Sequence, residues 1–326
     1  MKIAVVILNW NGKELLQKFL PSVISYSEEA NIYVADNAST DASVAFVKTN
    51  FPQIKIIQNT QNGGYAQGYN EALKHLKEDV FCLLNSDIEV TPNWLKPIYA
   101  EFTTHKDTAI IQPKILDYKS KDHFEYAGAA GGFIDKYAYP YCRGRIFNTI
   151  EKDEGQYNDS SSIFWASGAC FFIRKDVFQN LEGFDTSFFA HMEEIDLCWR
   201  AFNRDYQVRY VSQSSVYHVG GATLKSTNPK KTYLNFRNSL FTLTKNAPGP
   251  IFFLLLSRLA LDGLAGIKFL LELKFGHFLA IFKAHFSFYS NLPKLLNTRK
   301  SNPKKNNYYN KTSIVWSYYI KGRKVF

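Results

Sequence analysis

Four times within its first 90 residues the chain runs from an apolar strand into a polar cluster. Ile3–Leu8 is unbroken apolar sequence and gives way to Asn9-Trp10-Asn11-Gly12. A helical pattern then places Leu15, Leu16, Phe19 and Leu20 on one face. Ile32–Ala35 ends in Asp36–Asp41, ahead of a helix through Val44, Phe46 and Val47. Ile54–Ile57 ends in Asn59–Gly64, ahead of a helix over 66–77. Val80–Leu84 ends in Asn85-Ser86-Asp87. Runs this apolar belong to strands buried on both faces. Their alternation with helices predicts an α/β fold, a mainly parallel central sheet with helices on both faces. Ligands of such sheets bind beyond the carboxyl ends of the strands. All four polar clusters fall there, so one rim is expected to gather them.

The remainder is less regular. Residues 105–165 read as loops and short strands over the same rim. Trp165–Arg174 reads as a loop entering a strand. Glu193–Asn203 reads as a helix with Ile195, Cys198, Trp199 and Phe202 on one face, and Val208–Val211 and Val216–Val219 as two late strands. From Pro248 an apolar stretch runs towards Tyr289, interrupted by Arg258, Asp262, Lys268, Glu272, Lys274 and Lys283. It lacks the roughly 20 clean apolar residues of a spanning helix. Amphipathic helices lying on a membrane are expected, with packing on the body or in a dimer as the alternative.

Charge divides the chain in the same place. Residues 1–224 carry a net −6, whereas residues 225–326 carry 18 Lys/Arg against Asp262 and Glu272, a net +16. Such a tail seeks anions: phospholipid head groups, nucleic acid or a phosphate-bearing substrate. The 46% apolar and 21% charged composition excludes wholesale disorder and coiled coil. The four cysteines form no CxxC pair, which argues against a disulfide scaffold or zinc module and for a reducing compartment. The first apolar run is too short for a signal peptide. The expected location is cytoplasmic, peripheral on the inner face of the cell membrane.

Several clusters carry chemistry. Asp87, with Asn85 beside it, offers hard oxygen ligands suited to Mg2+ or Mn2+; a turn or helix-cap Asp is the plainer reading. Asp36–Asp41 can grip ribose hydroxyls or a base N–H, or cap the helix that follows. Gly63-Gly64 before a helix allows close backbone approach of a ligand, or a tight turn. Glu193, Glu194 and Asp196 open a helix, where acids favour the dipole. Three acids with His191 exceed that need, and one can take a proton from an attacking hydroxyl. His218 is a further metal ligand or a strand-end His.

Taken in order, Ile7–Asn11, Asp36–Asp41, Asn62–Asn70, Leu84–Asp87, Trp165–Ala169 and Glu193–Arg200 resemble family 2 glycosyltransferases of the GT-A fold, rhamnosyltransferase-like branch. The resemblance covers residues 3 to about 240. It implies a nucleotide-sugar donor held by Asn9, Asn11, Asp36, Asn62, Gly64 and Asn85. Asn85 and Asp87 stand at the family's Asp-x-Asp, with Asn85 replacing its first acid; Asp87, with His218, would bind Mg2+ or Mn2+. The family's base is usually the Asp of a Glu-Asp pair; that position is Glu194, with Glu193 the runner-up. Trp165, Ser167, Gly168, Ala169 and Asp196 would line the donor-sugar and acceptor pocket.

The reading is therefore a catalytic domain over 1–240 and a basic helical region over 241–326. The expected activity is inverting transfer of a sugar from a dTDP- or UDP-sugar, dTDP-rhamnose among them, to a glycan or lipid-linked acceptor. Arg237, Lys230 and Lys231 are candidates for an acceptor pyrophosphate. The alternatives are an inactive nucleotide-sugar-binding scaffold, which Asn85 and Glu194 keep open, and a nucleic-acid-binding protein, which leaves the acidic rim unexplained.

Overall fold

The computed structural model describes residues 1–220 and 227–326. The chain begins β1 (Ile3–Asn9), α1 (Lys13–Ser25), β2 (Asn31–Asp36), α2 (Ser43–Asn50), β3 (Lys55–Gln58), α3 (Gly64–Leu73) and β4 (Val80–Asn85), as the alternation predicts. There follow β5 (Ile88–Val90), α4 (Leu95–Thr104) and β6 (Thr108–Asp117). A small antiparallel sheet comprises β7 (Gly132–Ile134), β8 (Pro140–Cys142), β9 (Arg145–Ile146) and β10 (Thr149–Ile150). The main sheet resumes with β11 (Ser161–Ser162) and β12 (Cys170–Arg174), then α5 (Lys175–Asn180), α6 (Glu193–Phe202) and β13 (Gln207–His218). The helices α7 (Pro229–Asn246), α8 (Phe252–Leu271), α9 (Phe275–Ser301) and α10 (Ile314–Tyr319) complete it.

Among the described residues nine strands form the main sheet, in the order β11-β13-β6-β12-β4-β1-β2-β3, with β5 on β13. β1 pairs in parallel with both β2 and β4, and β2 with β3. Alternate residues of each strand face opposite sides of a sheet. Ala4, Val6, Phe81, Leu83 and Phe171 accordingly join one core, with α3 and α6. Ile3, Val5, Ile7, Cys82, Leu84 and Phe172 join another, with α1 and α4.

Parallel register sets the rim. Asn9 lies opposite Asp36, Asp36 opposite Gln58 and Leu8 opposite Asn85, so these strand ends share one edge. β12 runs antiparallel to β4, which brings Ser167–Ala169 to that edge at its start. The carboxyl end of β13 arrives there too, with His218 paired to Asp117 and Ile88.

Two expectations are corrected. Residues 105–165 are not all irregular, because β6 is a ten-residue strand buried at the heart of the sheet. Gln112, Pro113 and Lys114 in its middle hide the pattern. The two late strands are one, β13, with a register break between Val211 and Ser215 where it follows β6. Residue 240 lies inside α7, which packs against α6, α8 and α9. No described helix is long and apolar enough to cross a membrane.

Candidate active site

The first two loops are buttoned together. Asn9 Nδ2 donates to Asp36 Oδ1 and to Ser39 Oγ, both at 3.2 Å, and Ser39 N donates to Asp36 Oδ2 at 3.0 Å. Asn9 Oδ1 is buried without a partner. Asn11 Oδ1 accepts from Thr40 N at 2.7 Å and Asp41 N at 3.2 Å. Asp41 takes Ser43 N and Lys13 N, fixing the first turns of α2 and α1. Helix capping is thus met by Asp41. Asp36 sits at the rim, buried, while its neighbours hold helix starts.

Asn62 Oδ1 accepts from Gly64 N and from Asn37 Nδ2, each at 3.0 Å, so Asn62 shapes the turn into α3. Gly64 has φ +74°, and a Cβ there would overlap the Phe189 carbonyl, so only glycine fits. Tyr65 N donates to that same carbonyl at 3.0 Å, and Tyr65 Oη donates to Gly168 O at 2.8 Å. The third loop is thus clamped to the turn before α6 and to the start of β12. Asn85 is half-buried, its N–H bonded to Ala169 O at 2.9 Å.

Asp87 and His218 meet. His218 Nε2 lies 3.2 Å from Asp87 Oδ1, and Nδ1 lies 3.2 Å from Glu125 Oε1. All three are buried. Burial alone would lower the imidazole, but the Glu125 charge and hydrogen bonds to Asp87 and Glu125 push it up to about 10. Among the described residues no group of three or more His, Cys, Asp or Glu could by itself hold a metal ion. The Asp87 carboxylate suits Mg2+ or Mn2+, whereas His218 could join it only by giving up the proton that Asp87 and Glu125 hold on the ring. Such ions take few protein ligands and complete their shell with water and substrate phosphate.

The carboxylates of α6 form the other pole. His191 and Met192 both have left-handed backbone, φ +68° and +74°, which swings the first turn of α6 inward. Glu193 is buried and Glu194 half-buried, and each has an Oε2 with no partner. Burial pushes Glu194 from 4.5 up to about 7. Burial and then the Glu194 charge push Glu193 well up. Tyr65 is raised by burial and, among its neighbours, by both glutamates. Burial lowers the Lys231 ammonium while the Glu125 charge opposes that, and His191 is lowered to about 4 by burial and then by Lys231.

Other expected residues turn elsewhere. Asp196 is fully buried, with Arg200 Nε at 2.9 Å, Lys245 Nζ at 2.9 Å and Asn246 Nδ2 at 2.8 Å. It holds α6 to α7 and does not line a pocket. Trp165 lies in the core, its Nε1 donating to Phe133 O at 2.8 Å. Ser167 is buried, with its N–H on Gln112 Oε1 at 2.8 Å and its hydroxyl on Ala127 O. Gly168 and Ala169 keep rim positions through their carbonyls. Arg237 donates to Ser187 O at 3.0 Å, supporting the turn before α6, and Lys230 lies over the Phe189 ring. Glu125 and Tyr65 had no role from sequence. Tyr65 stood inside a noted motif, whereas Glu125 has no local signal.

A family model described as Glycosyl transferase family 2 matches residues 4–182. N-acetylglucosaminyl-diphospho-decaprenol L-rhamnosyltransferase of Mycobacterium tuberculosis is 23% identical over 234 residues, 66% of this chain and 75% of that protein. Low-salt glycan biosynthesis hexosyltransferase Agl10 of Haloferax volcanii is 24% identical over 248 residues, 72% and 73%. Among solved structures, GalNAc-T7 with UDP, GalNAc and Mn2+ superposes with a TM-score of 0.56 at 17% identity, covering 75% of this chain and 48% of that one. That likeness shows the GT-A fold.

Proposed function

The chain belongs to glycosyltransferase family 2, and from that premise we propose that it moves a sugar from a dTDP- or UDP-sugar to a hydroxyl of a glycan or lipid-linked acceptor, with inversion. Residues 1–240 carry the chemistry. The observation that supports this best is the pair of unpartnered, buried carboxylate oxygens on Glu193 and Glu194, on the same rim as the Asp87–His218 pair. An acceptor hydroxyl is a poor nucleophile at neutral pH. Glu194, held near 7, is poised to take its proton as the new bond forms.

Asp36, with Asn9 and Asn11 bracing its loop, offers a carboxylate to the ribose or base. Asn62 and Gly64 shape the turn that closes over the same edge. Asn85 presents a neutral amide where the family carries an acid, so Asp87 and His218 are the residues that would hold Mg2+ or Mn2+. Such an ion would stabilise negative charge on the diphosphate leaving group. A base on the face opposite the departing diphosphate gives inversion. Gly168 and Ala169 border the donor sugar. Lys231, whose charge Glu125 and His191 both feel, would meet an acceptor phosphate. The lipid-linked acceptor named for the mycobacterial relative supports that assignment.

The test is release of nucleoside diphosphate and product formation across UDP-, dTDP- and GDP-sugars with Mg2+ or Mn2+, for wild type, Asp87→Ala and Glu194→Gln. Asp87→Ala is expected to abolish turnover, and Glu194→Gln to keep donor binding but lose transfer. A fully active Glu194→Gln overturns the base. Donor binding by wild type without turnover on any donor–acceptor pair selects the inactive scaffold.

A further inference from the structure

In the α8–α9 hairpin, α8 is inside out and α9 is apolar on its outer as well as its inner face. A helix resting on a water-soluble body buries its apolar stripe and shows water its charges. On α8 the buried residues are Arg258, Asp262 and Gly266. Phe253, Leu256, Leu264, Ile267 and Leu271 are exposed, Leu271 by 81%. On α9, Phe275, Leu279, Phe282, Phe286 and Tyr289 recur every three or four residues and are likewise exposed.

The polar side is spoken for. Arg258 Nε pairs with Asp262 Oδ1 at 2.9 Å, and Arg258 Nη1 donates to Tyr137 O and Ser239 Oγ, each at 2.7 Å. Tyr139 Oη donates to Asp262 at 2.6 Å. α9 meets α7 through Thr232 and His277, 2.7 Å apart. With the Arg258 side of α8 and the Ala280, Ile281, Ala284 and Phe288 side of α9 turned inward, the hairpin still presents an apolar sheet of side chains far larger than scattered surface leucines account for.

Three observations select the occupant. Residues 225–326 carry a net +16; a second copy would bring two such regions together, whereas anionic lipid complements them. Exposed Lys268 and Lys283 each follow an exposed apolar residue, Ile267 and Phe282, so they lie about 100° round the helix at the edge of the stripe. α10 adds exposed Trp316 and Tyr319, with Lys268 6.0 Å over the Tyr319 ring; such aromatics favour the head-group boundary. We propose that the α8–α9 hairpin is a monotopic membrane anchor whose outer face lies at the head-group boundary of an anionic bilayer, with Lys268 and Lys283 at its phosphates.

The test is flotation of the full chain with vesicles of phosphatidylcholine and phosphatidylglycerol (7:3) or phosphatidylcholine alone. Wild type is expected to float with the anionic vesicles and to detach as salt rises. Leu264→Asp and Phe282→Asp should each lower the partition coefficient about tenfold, with the circular-dichroism melt unchanged because both sites are exposed. Phe282→Ser serves where a carboxylate disturbs the fold. Lys268→Glu/Lys283→Glu should remove most of the preference for the anionic lipid. Equal flotation of wild type and both Asp variants overturns the anchor. So does dimerisation by light scattering that those variants abolish, with no vesicle retention. No donor or acceptor is present, so failure here leaves the transfer reaction standing.

Discussion

Replacing Glu194 with Gln should make the protein inactive and, at alkaline pH, more stable. The folded protein holds this carboxyl near 7 against 4.5 in an open chain, because burial disfavours the charge. A carboxyl raised on folding favours the folded state while it stays protonated. That contribution is fully present below about 4.5 and lost as pH climbs through 7. By pH 8 the ionised side chain costs at most ~3 kcal/mol, at ~1.36 kcal/mol per pH unit. Gln removes that charge. Urea unfolding at pH 5 and pH 8 should therefore show the variant ahead by ~1–3 kcal/mol at pH 8, with the gap closing towards pH 5. In parallel, wild-type kcat/KM at saturating metal should rise about tenfold per pH unit below 7 and level off above it. The variant should lose at least ~100-fold. Parallel stability curves for the two proteins, with an activity limb nowhere near 7, would refute the buried-base argument.

Lys245→Met should lower stability by ~3–5 kcal/mol. It leaves buried Asp196 without its ammonium and frees Asp185, which Lys245 holds at about 2 against the pull of burial; the thermal midpoint reads this. Asp262→Ala should cost a similar amount by leaving Arg258 buried and unpaired, whereas Arg258→Met/Asp262→Leu should recover most of it. Recovery is read by urea midpoints of the three proteins, and no recovery would sink the ion-pair account. Glu125→Gln should weaken Mn2+ affinity about 10–100-fold while preserving the fold, because it withdraws the carboxylate behind His218. Manganese paramagnetic resonance of the free enzyme measures that directly.

What could be read from the sequence follows from how far each constraint reaches. The strands β1, β2 and β4 are buried on both faces, so their apolar runs announced them, and parallel pairing then placed Asn9, Asp36 and Asn85 on one edge. β6 escaped because Lys114, within it, satisfies its charge with Asp153, a partner no short window shows. Glu125 was invisible for the same reason: its partner His218 arrives only when β13 reaches the rim. The inward turn of Asp196 is legible in helix geometry. Two residues apart is about 200° round a helix, so if Glu194 faces the rim, Asp196 faces α7. The inverted polarity of α8 also needed coordinates, since the same spacing of Phe and Leu serves a helix packed either way round.

The role of α7 has a consequence for which acceptors this protein can use. Asn238 donates to the carbonyls of Ala190 and His191 at 3.0 and 2.7 Å, gripping the turn that delivers the two glutamates. One residue on, Ser239 takes Arg258 of the hairpin. A single helix thus touches both the turn that carries Glu193 and Glu194 and the helices whose greasy side faces outward. With those helices on lipid as proposed, Glu194 would stand at a set altitude above the surface. On the proposed anchor and base, an acceptor tethered in that surface would be selected by reach, its hydroxyl having to rise from the lipid as far as Glu194.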